Sequence, residues 1–300
     1  MRAVMRLTLA LPFCFALASC AAGSNDPGDG GGGSGAGGSH AGGTRHPSGT
    51  APAMVAGIVG YQYVQPGSGA PKGSVNGLFY TAPQSTASAQ YQDLFKGYAD
   101  VPLDTCVSLP DFSVSSGQPM STDVGALQMI APDGTAYPIA SQNFFGIVAY
   151  AGDVPATAFA PLGKYQLVAT GAASPGFSGD FWTPSGLTVE KPASSDVLPV
   201  DLAKPLDVVW KGATDGEPVI VTITQLDTKV TCRVKDDGAF TIPASAFLGF
   251  SASAGLERPA GAPEHDTITV ERAAWYTVGD AAAPVLVLTT TGASYDVDLE

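Results

Sequence analysis

Two cysteines, one histidine and a surplus of carboxylates are what residues 51–300 of this 300-residue chain offer for chemistry. A hydrolase triad needs a histidine base, and His265 is the sole candidate in that stretch. It sits in Pro263-Glu264-His265-Asp266, after a Pro/Gly-rich run from Arg258, and reads as a surface-loop residue. Ser178, in Gly176-Phe177-Ser178-Gly179, lacks the spacing and the strand-to-helix setting of a nucleophile elbow. Zinc would require three or four His or Cys ligands, and neither a Walker loop nor a dinucleotide fingerprint opens a helix. Asp236-Asp237-Gly238 and Asp296-Val297-Asp298 come closest to calcium-loop material, yet neither matches an EF-hand, and Asp-Gly is first a hairpin signal. The expectation is no catalytic residue, no metal and no cofactor. The alternative is a hydrolase with paired carboxylates, which must stand about 5–10 Å apart in a cleft.

Four cysteines are present: Cys14 and Cys20 near the start, then Cys106 and Cys232. In an oxidising compartment the later pair favours a disulfide, worth roughly 5 kcal/mol on the chain-entropy model. Strand parity opposes it. Cys232 shares a face with Val230 and Val234, whereas alternation with Val107 and Leu109 puts Cys106 on a polar face with Asp104 and Ser108. On the sequence, Cys106–Cys232 is a candidate pair left open.

The elements that must position these residues are strands. Val219, Val221 and Ile223 alternate with Ile220, Thr222 and Thr224; Leu206, Val208 and Trp210 share a face, as do Ile268 and Val270. Turn signals punctuate the runs at Pro132-Asp133-Gly134, Thr214-Asp215-Gly216, Asp236-Asp237-Gly238 and Gly279-Asp280. One helix is expected, over Ser85–Tyr98, with Tyr91, Leu94, Phe95 and Tyr98 on one face. Aromatics concentrate early, at Tyr61, Tyr63, Phe79, Tyr80, Phe144, Phe145, Phe181 and Trp182, and read as core with outward members able to stack on a ligand. The expected fold class is all-β: two β-sandwich units, residues 51–195 and 196–300, joined near Pro192–Leu202, the second having the size and turn spacing of an immunoglobulin-like sandwich.

Ahead of them lies different material. Residues 20–50 are nearly all Gly, Ala, Ser and small polar residues and cannot offset their ordering entropy. They form a flexible tether of about 30 Å root-mean-square span, with His40 and His46 as solvated linker residues. Residues 1–19 carry Arg2 and Arg6, then an apolar run from Leu7 to Leu17. As a helix that run would reach about 16 Å, too short for a hydrocarbon core of about 30 Å, so it reads as a secretory signal.

The run ends in Leu17-Ala18-Ser19-Cys20, which resembles the lipobox of bacterial lipoproteins. The resemblance implies cleavage before Cys20, lipidation of Cys20, and a stable membrane anchor of several acyl chains. Ala21 after it implies the outer membrane of the cell envelope. Leu206–Gly212, Val219–Ile223, Val230–Val234 and Asp237–Pro243 resemble a module of uncharacterised secreted lipoproteins of myxobacteria and related bacteria, with immunoglobulin-like or fibronectin-like domains. That likeness covers about a third of the chain and implies architecture, not chemistry.

Charge narrows the partners. The chain has 14 basic and 27 acidic side chains, a net −13; without Arg2 and Arg6 it is 12 against 27, or −15. With no basic stripe to neutralise phosphates, nucleic acid is excluded. The expected partners are the membrane, through the N-terminal lipid, and an envelope polysaccharide or protein. The expected role is a non-catalytic binding or structural module.

Overall fold

Alternating apolar and polar residues give a strand one wet and one dry face, and two such layers must close on each other. The computed structural model describes Thr44, Arg45 and residues 57–67, 69–79, 101–109, 121–144, 147–193, 197–212, 216–226, 228–260, 262–279 and 284–300. The expected leader, Cys20, the expected tether apart from Thr44 and Arg45 (and so His40 and His46), the expected helix over Ser85–Tyr98, and Tyr80 and Phe145 lie outside the described residues; Thr44 and Arg45, expected in the flexible tether, instead pair with Thr277 and Tyr276. So do Thr214, Asp215 and Asp280 of two expected turns, and part of the expected junction at Ser194 and Ser195.

The described chain is all-β, a sandwich built from strands β1 (Thr44–Arg45), β2 (Gly57–Pro66), β3 (Lys72–Phe79), β4 (Thr105–Leu109), β5 (Leu127–Ile130), β6 (Ala136–Phe144), β7 (Ile147–Val154), β8 (Lys164–Gly171) and β9 (Pro175–Trp182). These are followed by β10 (Thr188–Lys191), β11 (Leu198–Val200), β12 (Leu206–Lys211), β13 (Val219–Gln225), β14 (Thr228–Val234), β15 (Ala239–Ile242), β16 (Asp266–Val278) and β17 (Val285–Leu299). The main sheet runs β4-β14-β13-β16-β17-β2-β3-β7-β6-β5-β8-β9, with β1 on β16 and β11 on β17; β10-β12-β15 form a second sheet.

The main sheet curls because β6 changes partners. Its residues 136–139 pair with β5, and residues 140–144 with β7. The far edge, β9, thereby comes back over β16, so closely that a Cβ on Gly179 would lie 2.5 Å from the Val278 Cβ. Inside this curl lies a first core of Val59, Tyr61, Phe79, Leu127, Leu167 and Phe181 with their neighbours. The second core, including Trp210, Val221, Ile223, Cys232 and Ile242, fills the space between the second sheet and β14-β13-β16-β17.

The two cores share strands. On β16, Ile268 and Val270 enter the second core, while Ala274, Tyr276 and Val278 enter the first. On β17, Val285 and Val287 serve the first, and Ala293, Tyr295, Val297 and Leu299 the second. Thirteen residue pairs bind these two strands antiparallel to each other. Early strands are likewise woven into late ones: β2 lies parallel to β17, and β4 pairs with β14. The first core comes mainly from residues before 195 and the second from residues after 196, but one sheet runs through both and β16 and β17 serve both. A local hydrophobic count along the chain cannot reveal this, because the pairings join residues 120 to 228 positions apart.

Leu167→Ala in the first core and Ile223→Ala in the second should each lower stability by about 2–5 kcal/mol. Both should do so by shifting one common urea transition, since β16 and β17 cannot leave one core and stay in the other. Near-ultraviolet circular dichroism would check this, and two separated transitions would show the cores to be independent.

Candidate functional site

The most enclosed ionic group in the described structure lies where the two cores meet. On β16, Arg272 occupies the same face as Val270 and Ala274, between the residues given to each core, and its side chain is fully buried. A guanidinium carries five donors and keeps its charge at any physiological pH, so burial demands acceptors and a counter-charge. Both are supplied. Nη2 donates to Asp236 Oδ2 at 2.6 Å, and Nη1 donates to Ser185 O at 3.1 Å, Ser185 Oγ at 2.8 Å and Gly186 O at 2.8 Å. Asp236, just past β14, accepts a second hydrogen bond on Oδ1 from Trp210 Nε1 at 2.8 Å.

Each partner comes from a different element. Ser185 and Gly186 belong to the crossover from β9 to β10, where the chain passes from the first core to the second and its carbonyls have left the β9 ladder. Trp210 stands on β12. Gly212, at φ 145°, lets β12 end against this crossover; a Cβ there would run into the Gly186 carbonyl. One side chain thus fastens the shared strand, the crossover and the second sheet together.

Above this node a shallow, open depression of about 290 Å³ is lined by Trp210, Lys211, Gly212, Asp236, Asp237 and Gly238. Its carboxylates are employed. Asp236 holds Arg272 and Trp210, and Asp237 accepts from Ala239 N–H at 3.5 Å in the turn made by Gly238 at φ 100°. The calcium-loop candidate at Asp236-Asp237-Gly238, which also carried a hairpin signal, is thus a turn that takes the chain from β14 in the main sheet to β15 in the second sheet, and its first aspartate faces a guanidinium.

A second buried acid closes the far end of the second core. Asp266, the first residue of β16, receives Arg258 Nη2 at 2.8 Å, Gln225 Nε2 at 2.9 Å and Ser253 Oγ at 2.6 Å. Gln225 also grips the Ser251 backbone at both its carbonyl and its N–H, and Ser253 Oγ accepts from Leu299 N–H. The loop between the turn Ala244–Phe247 and β16 is thereby tied down. His265 points elsewhere, its Nδ1 lying 3.3 Å from Asp298 Oδ1 at the half-exposed surface. Asp296 is exposed, and Val297 between it and Asp298 is core. Ser178 lies within β9, opposite Val168.

Among the described residues no group of three or more His, Cys, Asp or Glu side chains converges on a metal position. Elsewhere, burial and the Asp123 carboxylate push the Tyr150 hydroxyl up to about 12. Asp123, which accepts from Tyr150 at 2.6 Å and from Gly125 N–H, is held below the usual carboxylate range. The pair locks the approach to β5 onto β7.

Cys106 and Cys232 face each other across the β4–β14 pair and are bonded, with their Cα atoms 3.9 Å apart. The parity objection fails on its premise. It took Val107 and Leu109 to mark the dry face of β4 and assigned the strand to a separate unit. In fact β4 is an edge strand of the sheet enclosing the second core, and Cys106 packs on that core beside Cys232. Asp104, at φ 60°, secures the start of β4, accepting Lys235 N–H at 3.0 Å and pairing with Lys235 Nζ at 2.7 Å. Of the early aromatics, Tyr61, Phe79 and Phe181 are core, Tyr63 stacks on Phe159, and Trp182 packs on Tyr276. The Arg272 node was not foreseen. A charged residue amid the β-strand run Val270-Glu271-Arg272-Ala273-Ala274-Trp275 was its one available signal.

No family model and no curated protein matches the chain. Among solved structures, the fibronectin(III)-like modules of Clostridium thermocellum CbhA match at 14% identity, covering 66% of this chain and 88% of theirs, with a TM-score of 0.18. The tandem Ig repeats of Dlar match at 12% identity over 67% of this chain and 92% of theirs, with a TM-score of 0.21. The trypsin-activated α2-macroglobulin of Escherichia coli matches at 12% over 80% of this chain but 15% of its own, with a TM-score of 0.20. Superpositions this loose carry no argument about the present chain.

Two outcomes follow. Arg272→Met, which strands Asp236 without its counter-charge, should cost about 3–5 kcal/mol. Asp236→Asn, which keeps an acceptor for Trp210, should also destabilise, while Asp201→Asn in an exposed pair should leave urea midpoints unchanged. A non-reduced digest should yield a linked Cys106–Cys232 peptide. Replacing both cysteines by alanine should cost up to about 5 kcal/mol for a separation of 126 residues.

Proposed function

We propose that this chain is a lipid-anchored protein of the bacterial cell envelope, held at the outer membrane through Cys20, whose folded region is a non-catalytic binding or structural module. The observation that carries the module reading is how the enclosed charges are used. Apart from Arg272 Nε, Arg272 with Asp236 and Ser185, and Asp266 with Arg258, Gln225 and Ser253, spend these polar atoms on backbone and on one another. Groups so employed fix a shape. They support a scaffold that offers loops and strand edges to an envelope polysaccharide or protein. The anchoring is supported by the signal-like leader ending in Leu17-Ala18-Ser19-Cys20 and by the Gly-rich stretch that follows it. The paired-carboxylate hydrolase gains no comparable support, because Asp236 and Asp266 each oppose an arginine.

Cys20→Ser should abolish labelling by a metabolically supplied fatty acid and move the protein out of the membrane fraction, or leave it as unprocessed precursor. Unchanged sedimentation and processing would overturn the anchor. The same unlipidated protein should cosediment saturably with envelope polysaccharide or with a defined envelope protein. Release of sugar from that polysaccharide would replace the module reading with an enzymatic one.

A further inference from the structure

The geometry points to a load-bearing role: the β2–β17 ladder is a shear clamp that holds the fold when its N-terminal tether is pulled. The origin of the load rests on the anchoring proposed above; the clamp itself rests on strand geometry.

β2 is the first long strand among the described residues, and it lies parallel to β17, the last of them, over ten registered pairs from Gly57↔Val285 to Pro66↔Ser294. β17 is held in turn by thirteen antiparallel pairs to β16 and by a parallel ladder with β11 from Leu198↔Val297 to Val200↔Leu299. Direction matters as much as number. The start of β2 and the start of β17 belong to the first core, and the end of β17 belongs to the second, further along the same strand. A pull on the chain ahead of Gly57, opposed by anything that grips the second core, therefore acts along β2 and slides it against β17.

Sliding strains the registered hydrogen bonds of a ladder together, whereas peeling from one end breaks them in turn. Forced unfolding is governed by the unfolding rate, so the same ladder resists one direction far better than the other. The β1 pairing of Thr44 and Arg45 to Thr277 and Tyr276 sits at the same end and is the first short ladder the load meets. Behind it, the covalent Cys106–Cys232 link fixes β4 to β14.

The test is single-molecule pulling of the full mature chain. Force applied between the N-terminus and the C-terminus loads β2 against β17 in shear. A handle at Pro284→Cys, beside Gly57 at the start of β17, paired with the N-terminus, peels the same ladder from one end. Handles at Ala70→Cys, on the exposed turn after β2, and at the exposed Asp296→Cys, just past Ser294 on β17, peel it from the other. Shear should require severalfold more force than either peel. Equal forces, or a lower force in shear, would overturn the clamp. If one handle lowers the melting temperature, the other still decides the comparison. Failure here is distinct from failure of the anchor, which is read by fractionation of Cys20→Ser.

Discussion

A buried guanidinium needs partners on every side, and the structure depends on where Arg272 finds them. It lies on a strand common to both cores, at the point where neither core's apolar residues fill the face. Its partners are a carboxylate from the β14–β15 turn and two carbonyls from the only segment that carries the chain from β9 to β10. A well-packed apolar residue could fill the volume with equal or greater stability. It could not supply the donors that the Ser185 and Gly186 carbonyls accept from Arg272. What the arginine contributes is the angle and register at which the second sheet meets the first curl.

That junction makes sense of the long strands. β16 and β17 run through 13 and 15 residues, well beyond the five or six that are usual. Each keeps one dry face throughout, apolar except for Asp266 at the start of β16, Arg272 between the cores, and Thr289 and Thr291 on β17. Two cores strung on one ribbon cannot reorient without breaking it. The interdomain hinge that two separate sandwiches would have is absent from this arrangement of described strands.

Much of this was legible in the residues, and the rest was not for a definite reason. Alternation located β12, β13, β14 and the start of β16 because a half-buried strand writes period two directly into its sequence. Asp236-Asp237-Gly238 and Pro132-Asp133-Gly134 were legible as turns because their glycines take positive φ, 100° at Gly238 and 85° at Gly134. Pairing left no such trace. Nothing near Cys106 states that its neighbour is Cys232, and nothing near Gly57 states that it lies beside Val285. Parity arguments fail in the same place, since which face is dry depends on which core a strand joins. Arg272 was illegible for a related reason: a charge inside a strand looks like a solvated face until its partners, 36 and 87 residues away, are known.

The weave also constrains when the fold can form. β2 needs β17, β4 needs β14, and the disulfide needs residues 126 apart, so the sheet lacks its centre until the last strand exists. Non-local pairing of this kind is slow, because loop closure must be met before any contact rewards it. For a cytosolic protein that delay is a hazard, leaving apolar strands such as Val219–Gln225 exposed. For an exported chain it is an advantage. A polypeptide whose Gly57–Pro66 strand must wait for Val285–Leu299 would stay unfolded longer, and the Cys106–Cys232 bond would form only where thiols can oxidise. The order of strands in the sheet is thus one that the export proposed for this chain would favour.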